Sequence, residues 1–313
     1  MNYGGRLIAG ATPHHGIGVS KIMVTKLFRQ NAIHKRLFFW IAILAVVIGT
    51  LLMSINLYGL SQPLRKPGLG VTDHEMLRFV PEEIWSYERS MKEIDALSGI
   101  EDRDVLASKA NDIVNISIVH PQWTWVDRVE YRQLIPVWEN YYLWFLGVVT
   151  DMPQIQRYHY ANYKRNIKRG IGVCGDAATV YSSILDRYGI ENRLASFSEG
   201  HVVVEYESED GQFFVMDSDF GVELGMTLEK ISSDPELVRK AYVDKGYTTR
   251  EINTLVRIYG SGFFIFDDTY NFMAKRYIFE EVSYVMKWVA PLILIVLGGL
   301  YLLRTRRLSP FKK

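Results

Sequence analysis

The chain has 313 residues, a formal net charge of +1, 48% hydrophobic residues and a single cysteine, Cys174. That length suits one domain of ordinary size with additional segments, and one thiol excludes an internal disulfide. The small net charge hides a pattern. Residues 1–36 carry six Lys/Arg and no acid, and residues 304–313 carry five and no acid. The middle of the chain is left with 25 basic against 35 acidic residues.

Residues 1–22 are glycine-rich without periodicity and read as disordered; Met23 begins a more regular basic lead-in. Leu37 to Leu60 then runs 24 residues without a charge, and a helix needs about 20 such residues to cross a bilayer. The run is too long for a signal-peptide core and no small-residue cleavage site follows it, so it reads as an uncleaved anchor. Pro63, Pro67, Gly68 and Gly70 mark a linker. Thr72–Leu97 has helical spacing, with Leu77, Val80, Ile84, Tyr87, Met91 and Ile94 on one stripe. Asp104–Ile118 reads as a second helix.

His120–Val149 is rich in aromatics, including Trp123, Trp125, Tyr131, Trp138, Tyr141, Tyr142, Trp144 and Phe145. The favoured reading is a helical core packed on the rest of the domain; the alternative is a stripe at the membrane surface, where aromatics concentrate. Met152–Ile167 is helical and basic. Cys174–Tyr188 is a helix with Ala177, Ala178, Tyr181, Ile184 and Leu185 on one face, closed by Gly189. Strands His201–Tyr206 and Gln212–Asp217 flank a Glu209–Asp210–Gly211 turn and form a hairpin.

Leu228–Lys245 reads as a polar helix and Ser261–Phe266 as a strand. Asn271–Met286 leads helically into a second apolar run, Trp288–Leu303, of 16 residues. That run reaches spanning length when Val282–Met286 join it and Lys287 extends its ammonium to the interface. Pro291 lies near its start, where a helix tolerates proline best. Eleven basic residues flank the outer ends of the two spans, whereas Arg65, Lys66, Lys275, Arg276 and Lys287 lie on the inner side. Retention of Lys/Arg on the cytoplasmic side predicts two cytoplasmic termini and residues 61–287 across the membrane. Beside a bilayer, the basic tails favour anionic membrane lipids over nucleic acid as partners.

Cys174 stands in Gly172–Val173–Cys174–Gly175–Asp176, at a predicted helix start. Unpaired N–H groups and the helix dipole there favour a thiolate, and the same N–H groups can hold an oxyanion. His201 opens a strand and Asp217 ends the next. Antiparallel pairing brings such ends together, so Asp217 can fix the His201 ring while the other ring nitrogen faces the thiol. The scattered histidines do not make a zinc pattern, no phosphate-loop glycine pattern is present, and no cofactor or metal is expected.

These residues resemble the transglutaminase-like superfamily, whose core is a papain-like Cys-His-Asp fold. The matching stretches are Gly172–Cys174, the helix to Tyr188, Gly189–Ile190–Glu191–Asn192–Arg193, Gly200–His201–Val202–Val203–Val204–Glu205 and Phe214–Val215–Met216–Asp217, within residues 155–225. Val203 stands where many members have an aromatic, and Ser218 where many have proline. Asp219 is an alternative third residue. The upstream oxyanion side chain of some members has only Tyr158, Tyr160 and Tyr163 as candidates.

The resemblance implies an α+β fold, with a helix carrying the cysteine packed on an antiparallel sheet; the apolar runs and helical spacing add a helical N-terminal extension and two transmembrane helices. The expected divisions are tails at 1–36 and 304–313, transmembrane helices at 37–60 and 286–303, a helical region at 61–150, a transglutaminase-like domain at 151–266 and a helical connector at 267–285. It implies catalysis by Cys174, His201 and Asp217 through a thioester, with water or an amine as acceptor and a protein, peptide or glycopeptide as substrate. Topology and resemblance together place the chain in a bacterial inner membrane, working outside the cytoplasm with envelope-assembly partners. The other expectation is a non-catalytic scaffold or accessory subunit that binds peptide or glycan.

Overall fold

The computed structural model describes residues 17–79, 81 and 83–307. The outermost parts of the basic tails, with the disorder expected for residues 1–16, lie outside the described residues. Disorder does not extend through residue 22, because helix α1 runs Ile17–Gly59. No proline interrupts that segment, so a helix nucleated in the apolar run propagates back through it. The chain divides into two units: Ile55–Trp288, and the long helical segments that precede and follow it.

The following segment belongs to α11, Thr269–Arg307. Both α1 and α11 are long and apolar enough to cross a membrane, and only 11% of each apolar window is buried, unlike the core helix of a soluble protein. They pack antiparallel through small residues. A Cβ on Gly49 would lie 2.8 Å from the Pro291 carbonyl oxygen, and one on Gly298 would lie 2.8 Å from the Ala42 oxygen. Such contacts are those that let helices approach closely in lipid.

Within Ile55–Trp288, β1 (Leu77–Phe79) pairs antiparallel with β2 (His120–Pro121). The single helix expected over 72–97 is replaced by a 3-10 turn, β1, a loop and then α2 (Tyr87–Ala96). Pro81 explains the break: it has no N–H to donate and disfavours helical backbone before it. Ser86 restarts the helix by accepting the Arg89 N–H at 3.2 Å. Helix α3 spans Arg103–Ser117 and is capped by Asp102, which accepts from the Val105 N–H. The aromatic segment is mostly turns, with one helix, α4 (Tyr141–Val149). The expected basic helix splits into α5 (Pro153–Gln156) and α6 (Tyr163–Arg169).

Helix α7 (Cys174–Arg187) ends at Gly189, whose φ of +71° suits glycine. The Ile190 N–H reaches back to the Leu185 carbonyl at 3.0 Å and closes the last turn. Strands β3 (Asn192–Phe197), β4 (His201–Glu207), β5 (Phe213–Asp217), β6 (Val222–Glu223) and β7 (Phe263–Phe266) follow. They form one antiparallel sheet in the order β6-β5-β4-β3-β7. The polar helix expected at 228–245 breaks at Pro235 into α8 (Leu228–Ser233), a 3-10 turn and α9 (Arg239–Asp244); α10 (Thr249–Tyr259) then precedes β7.

The sheet is covered on both faces, which explains the unbroken apolar reading of β4. Val202, Val204 and Tyr206 pack with Ala178, Tyr181 and Leu185 of α7 and with Val114 of α3. Val203, one residue out of phase, packs with Leu228, Tyr242, Leu255 and Tyr259 of α8–α10. Ile94 and Leu106 share the α7 core, so the chain on either side of residue 150 builds one hydrophobic interior. The architecture is α+β and, among the described residues, two helices are long and apolar enough to span a membrane.

Candidate active site

Cys174 is the first residue of α7 and Val173 before it is extended, with φ −121° and ψ −178°. The N–H groups of Cys174 and Gly175 therefore point out of the helix with no acceptor one turn back. Asp176, fully buried, holds this end of the helix by accepting the Val173 N–H at 3.0 Å. It also pairs with His159 Nδ1 at 2.8 Å, and Arg169 lies 3.6 Å away. Burial alone would raise the Asp176 carboxyl; the His159 and Arg169 charges and the Val173 N–H outweigh it and hold the group below the usual carboxylate range.

The Cys174 sulfur is partly exposed and lies 4.0 Å from the Gly200 carbonyl oxygen. His201, the next residue, is buried, and its Nε2 lies 2.7 Å from Asp217 Oδ2. The hairpin register explains the meeting: Val204 faces Met216, so the start of β4 lies beside the end of β5. With Nε2 committed to Asp217, Nδ1 is left for the thiol. Burial would lower the proton affinity of the ring. The Asp217 carboxylate overcomes it, with Cys174 contributing by hydrogen bond and charge, and the imidazole is held well above its usual pKa.

Three further residues touch the carboxylate: the Phe220 N–H donates to Oδ1 at 3.4 Å, and two tyrosines bond Oδ2. The Tyr242 hydroxyl donates to Asp217 Oδ2 at 2.5 Å and the Tyr259 hydroxyl at 3.4 Å, and the two hydroxyls lie 2.8 Å apart. Both rings are buried, and burial together with the Asp217 charge pushes both phenols well above their usual value, so they remain donors. They stand 25 and 42 residues beyond Asp217, on α9 and α10, and no spacing in the sequence links them to it.

Asp219 does not touch His201 in this arrangement. It accepts from Arg78 at 2.5 Å and pairs with His120 Nδ1 at 2.9 Å. Burial would raise its carboxyl, but Arg78 and then His120 hold it far below the usual range. Arg78 lies flat on Phe220, 4.0 Å from the ring centre, within electrostatic reach of Asp217 and Cys174. Arg78, His120, Gln122, Trp125, Cys174 and His201 line one open cleft of about 890 Å³.

Tyr158, Tyr160 and Tyr163 do not line this cleft. Tyr158 is buried and donates to Glu280, and Tyr160 is buried beneath the Arg169 guanidinium. Tyr163 opens α6 and packs on the α7 core. Helix α6 packs beneath α7, which turns this stretch away from the sulfur. The cleft residues Arg78, His120 and Gln122 come from the β1–β2 region, which sequence spacing had read partly as helix.

No family model matches the sequence, and no curated protein and no solved structure is found similar to it.

Proposed function

We propose that the chain is a membrane-anchored thiol acyl-transfer enzyme of transglutaminase-like, papain-like type. The observation that carries the reading is the 2.7 Å His201–Asp217 pair beside a cysteine that opens a helix at the edge of a cleft. In this reading His201 Nδ1 holds the proton taken from Cys174, and the sulfur attacks an amide or ester carbonyl. The carbonyl electron pair moves to oxygen, where the N–H groups at the start of α7 stabilise it. Collapse forms the thioester and expels the leaving group, which takes the proton from His201.

Water or an amine then attacks the thioester and gives hydrolysis or transfer. Asp217, steadied by Tyr242 and Tyr259, holds the ring in one tautomer throughout. A protein, peptide or glycopeptide fits an open cleft better than a small enclosed ligand does. The basic tails support cytoplasmic termini in a bacterial inner membrane and a site facing away from the cytoplasm.

The test uses the purified full chain with p-nitrophenyl acetate, read by intact mass. The expected product is a single acetyl group on Cys174, accompanied by p-nitrophenolate, with slower formation in His201→Ala and none in Cys174→Ala. Equal p-nitrophenolate release by native protein and Cys174→Ala, with no acetyl group on the cysteine, removes the reading.

A further inference from the structure

We propose that α4 is a third membrane-embedded element, lying in the interfacial region of the bilayer without crossing it. The inference rests on the two long helices crossing a membrane and is independent of the chemistry at Cys174.

No charged residue lies between Asn140 and Thr150. A run of that length is too short to span and belongs either in a protein core or at an interface. The structure divides it between the two. Tyr141, Leu143 and Gly147 face inward, and a Cβ on Gly147 would strike the Leu134 side chain at 2.5 Å. Phe145, Val148 and Val149 face outward, 56%, 52% and 55% exposed, and Met152 continues the patch just beyond the helix. Water disfavours a contiguous patch of this kind, whereas the boundary between headgroups and acyl chains accepts it.

Lipid is singled out as the occupant by what α4 is fastened to. Pro291 has no N–H, so the carbonyl four residues earlier, on Lys287, loses its helical partner. The Tyr141 hydroxyl donates to that oxygen at 2.8 Å and Asn56 Nδ2 at 2.5 Å. Asn140 Nδ2 bonds Ser283 Oγ at 2.8 Å. The start of α4 is thus tied to α11 at the residues that immediately precede its apolar run. On α11 itself Val282 and Val285 are already turned outward and exposed at this level.

The experiment uses full-length protein with Cys174→Ser, so that one introduced thiol carries the label. Nitrobenzoxadiazole is attached at Val148→Cys or Phe145→Cys, with Asp210→Cys as the aqueous control and Leu297→Cys as the span control. The protein is placed in phosphatidylcholine–phosphatidylglycerol nanodiscs with or without doxyl-labelled lipid. Labels at 145 and 148 are expected to be quenched by doxyl lipid several-fold more strongly than the label at 210, and to be shielded from iodide. Iodide quenching at 145 and 148 without doxyl quenching overturns the proposal. Shielding from both quenchers means that protein covers the face, and overturns it too. A label at 297 that doxyl lipid does not quench removes the membrane reading itself.

Discussion

His201 is caught between opposed effects: burial disfavours its charge, and the Asp217 carboxylate at 2.7 Å restores it. Asp217→Asn removes the second effect and leaves the first. The ring should then titrate below its native value, with a shift of at least about one unit, as expected when a close carboxylate is lost. Histidine NMR in detergent micelles would read this, and an unchanged titration would contradict the pairing. Because the folded pKa of His201 is raised above 6.5, the stability that this group's own proton contributes is fully present below that pH and is lost as pH rises through the folded value. Asp219→Asn should act differently. It leaves the half-buried Arg78 without its carboxylate and should cost about 2 kcal/mol of stability, seen in thermal unfolding, while the titration of His201 stays raised. Asp219 has the opposite pH sign: its carboxyl is depressed, so its contribution is present at neutral pH and disappears in acid. Cys174, His201 and Asp217 stand out in the sequence because each lies at the end of a recognisable element. Tyr242, Tyr259, Arg78 and His120 do not, because tertiary packing brings them to the two carboxylates from distant elements.

At the level of elements, the entry to α7 is tightly built. A Cβ on Gly172 would approach the Asp176 Cβ to 2.6 Å and Ile118 Cγ2 to 3.0 Å. Gly172→Ala should therefore cost about 2 kcal/mol through overpacking and should slow reactions at Cys174 by displacing the start of the helix. A calorimetric scan together with thiol labelling would register both effects, and a silent substitution would mean that the helix entry has room to move. The sequence allowed α3, α7 and the β4–β5 hairpin to be recognised because periodicity, capping residues and the Gly211 turn agree there. It obscured α2 and β1, where apolar spacing continued across Pro81 although the backbone could not remain helical. It also conceals β3, because Asn192–Phe197 has no regular alternation: its burial follows coverage on both faces.

For the whole molecule, the single thiol makes topology directly measurable. A membrane-impermeant maleimide should label Cys174 in cells whose outer membrane has been opened but whose inner membrane is intact. Labelling only after the inner membrane is lysed would reverse the proposed orientation. The two long apolar helices were legible because uncharged length is a property of sequence alone. The antiparallel Gly49–Pro291 and Gly298–Ala42 contacts were not, since they depend on which faces meet. The most direct test of the central proposal is the rate at which iodoacetamide alkylates Cys174 at pH 6 in the native full chain and in His201→Ala. If His201 holds the proton of the sulfur, as its raised pKa implies, the native rate should exceed that of the variant by about a hundredfold, the scale on which a paired histidine activates a cysteine. Equal rates would leave Cys174 an ordinary thiol and contradict the account.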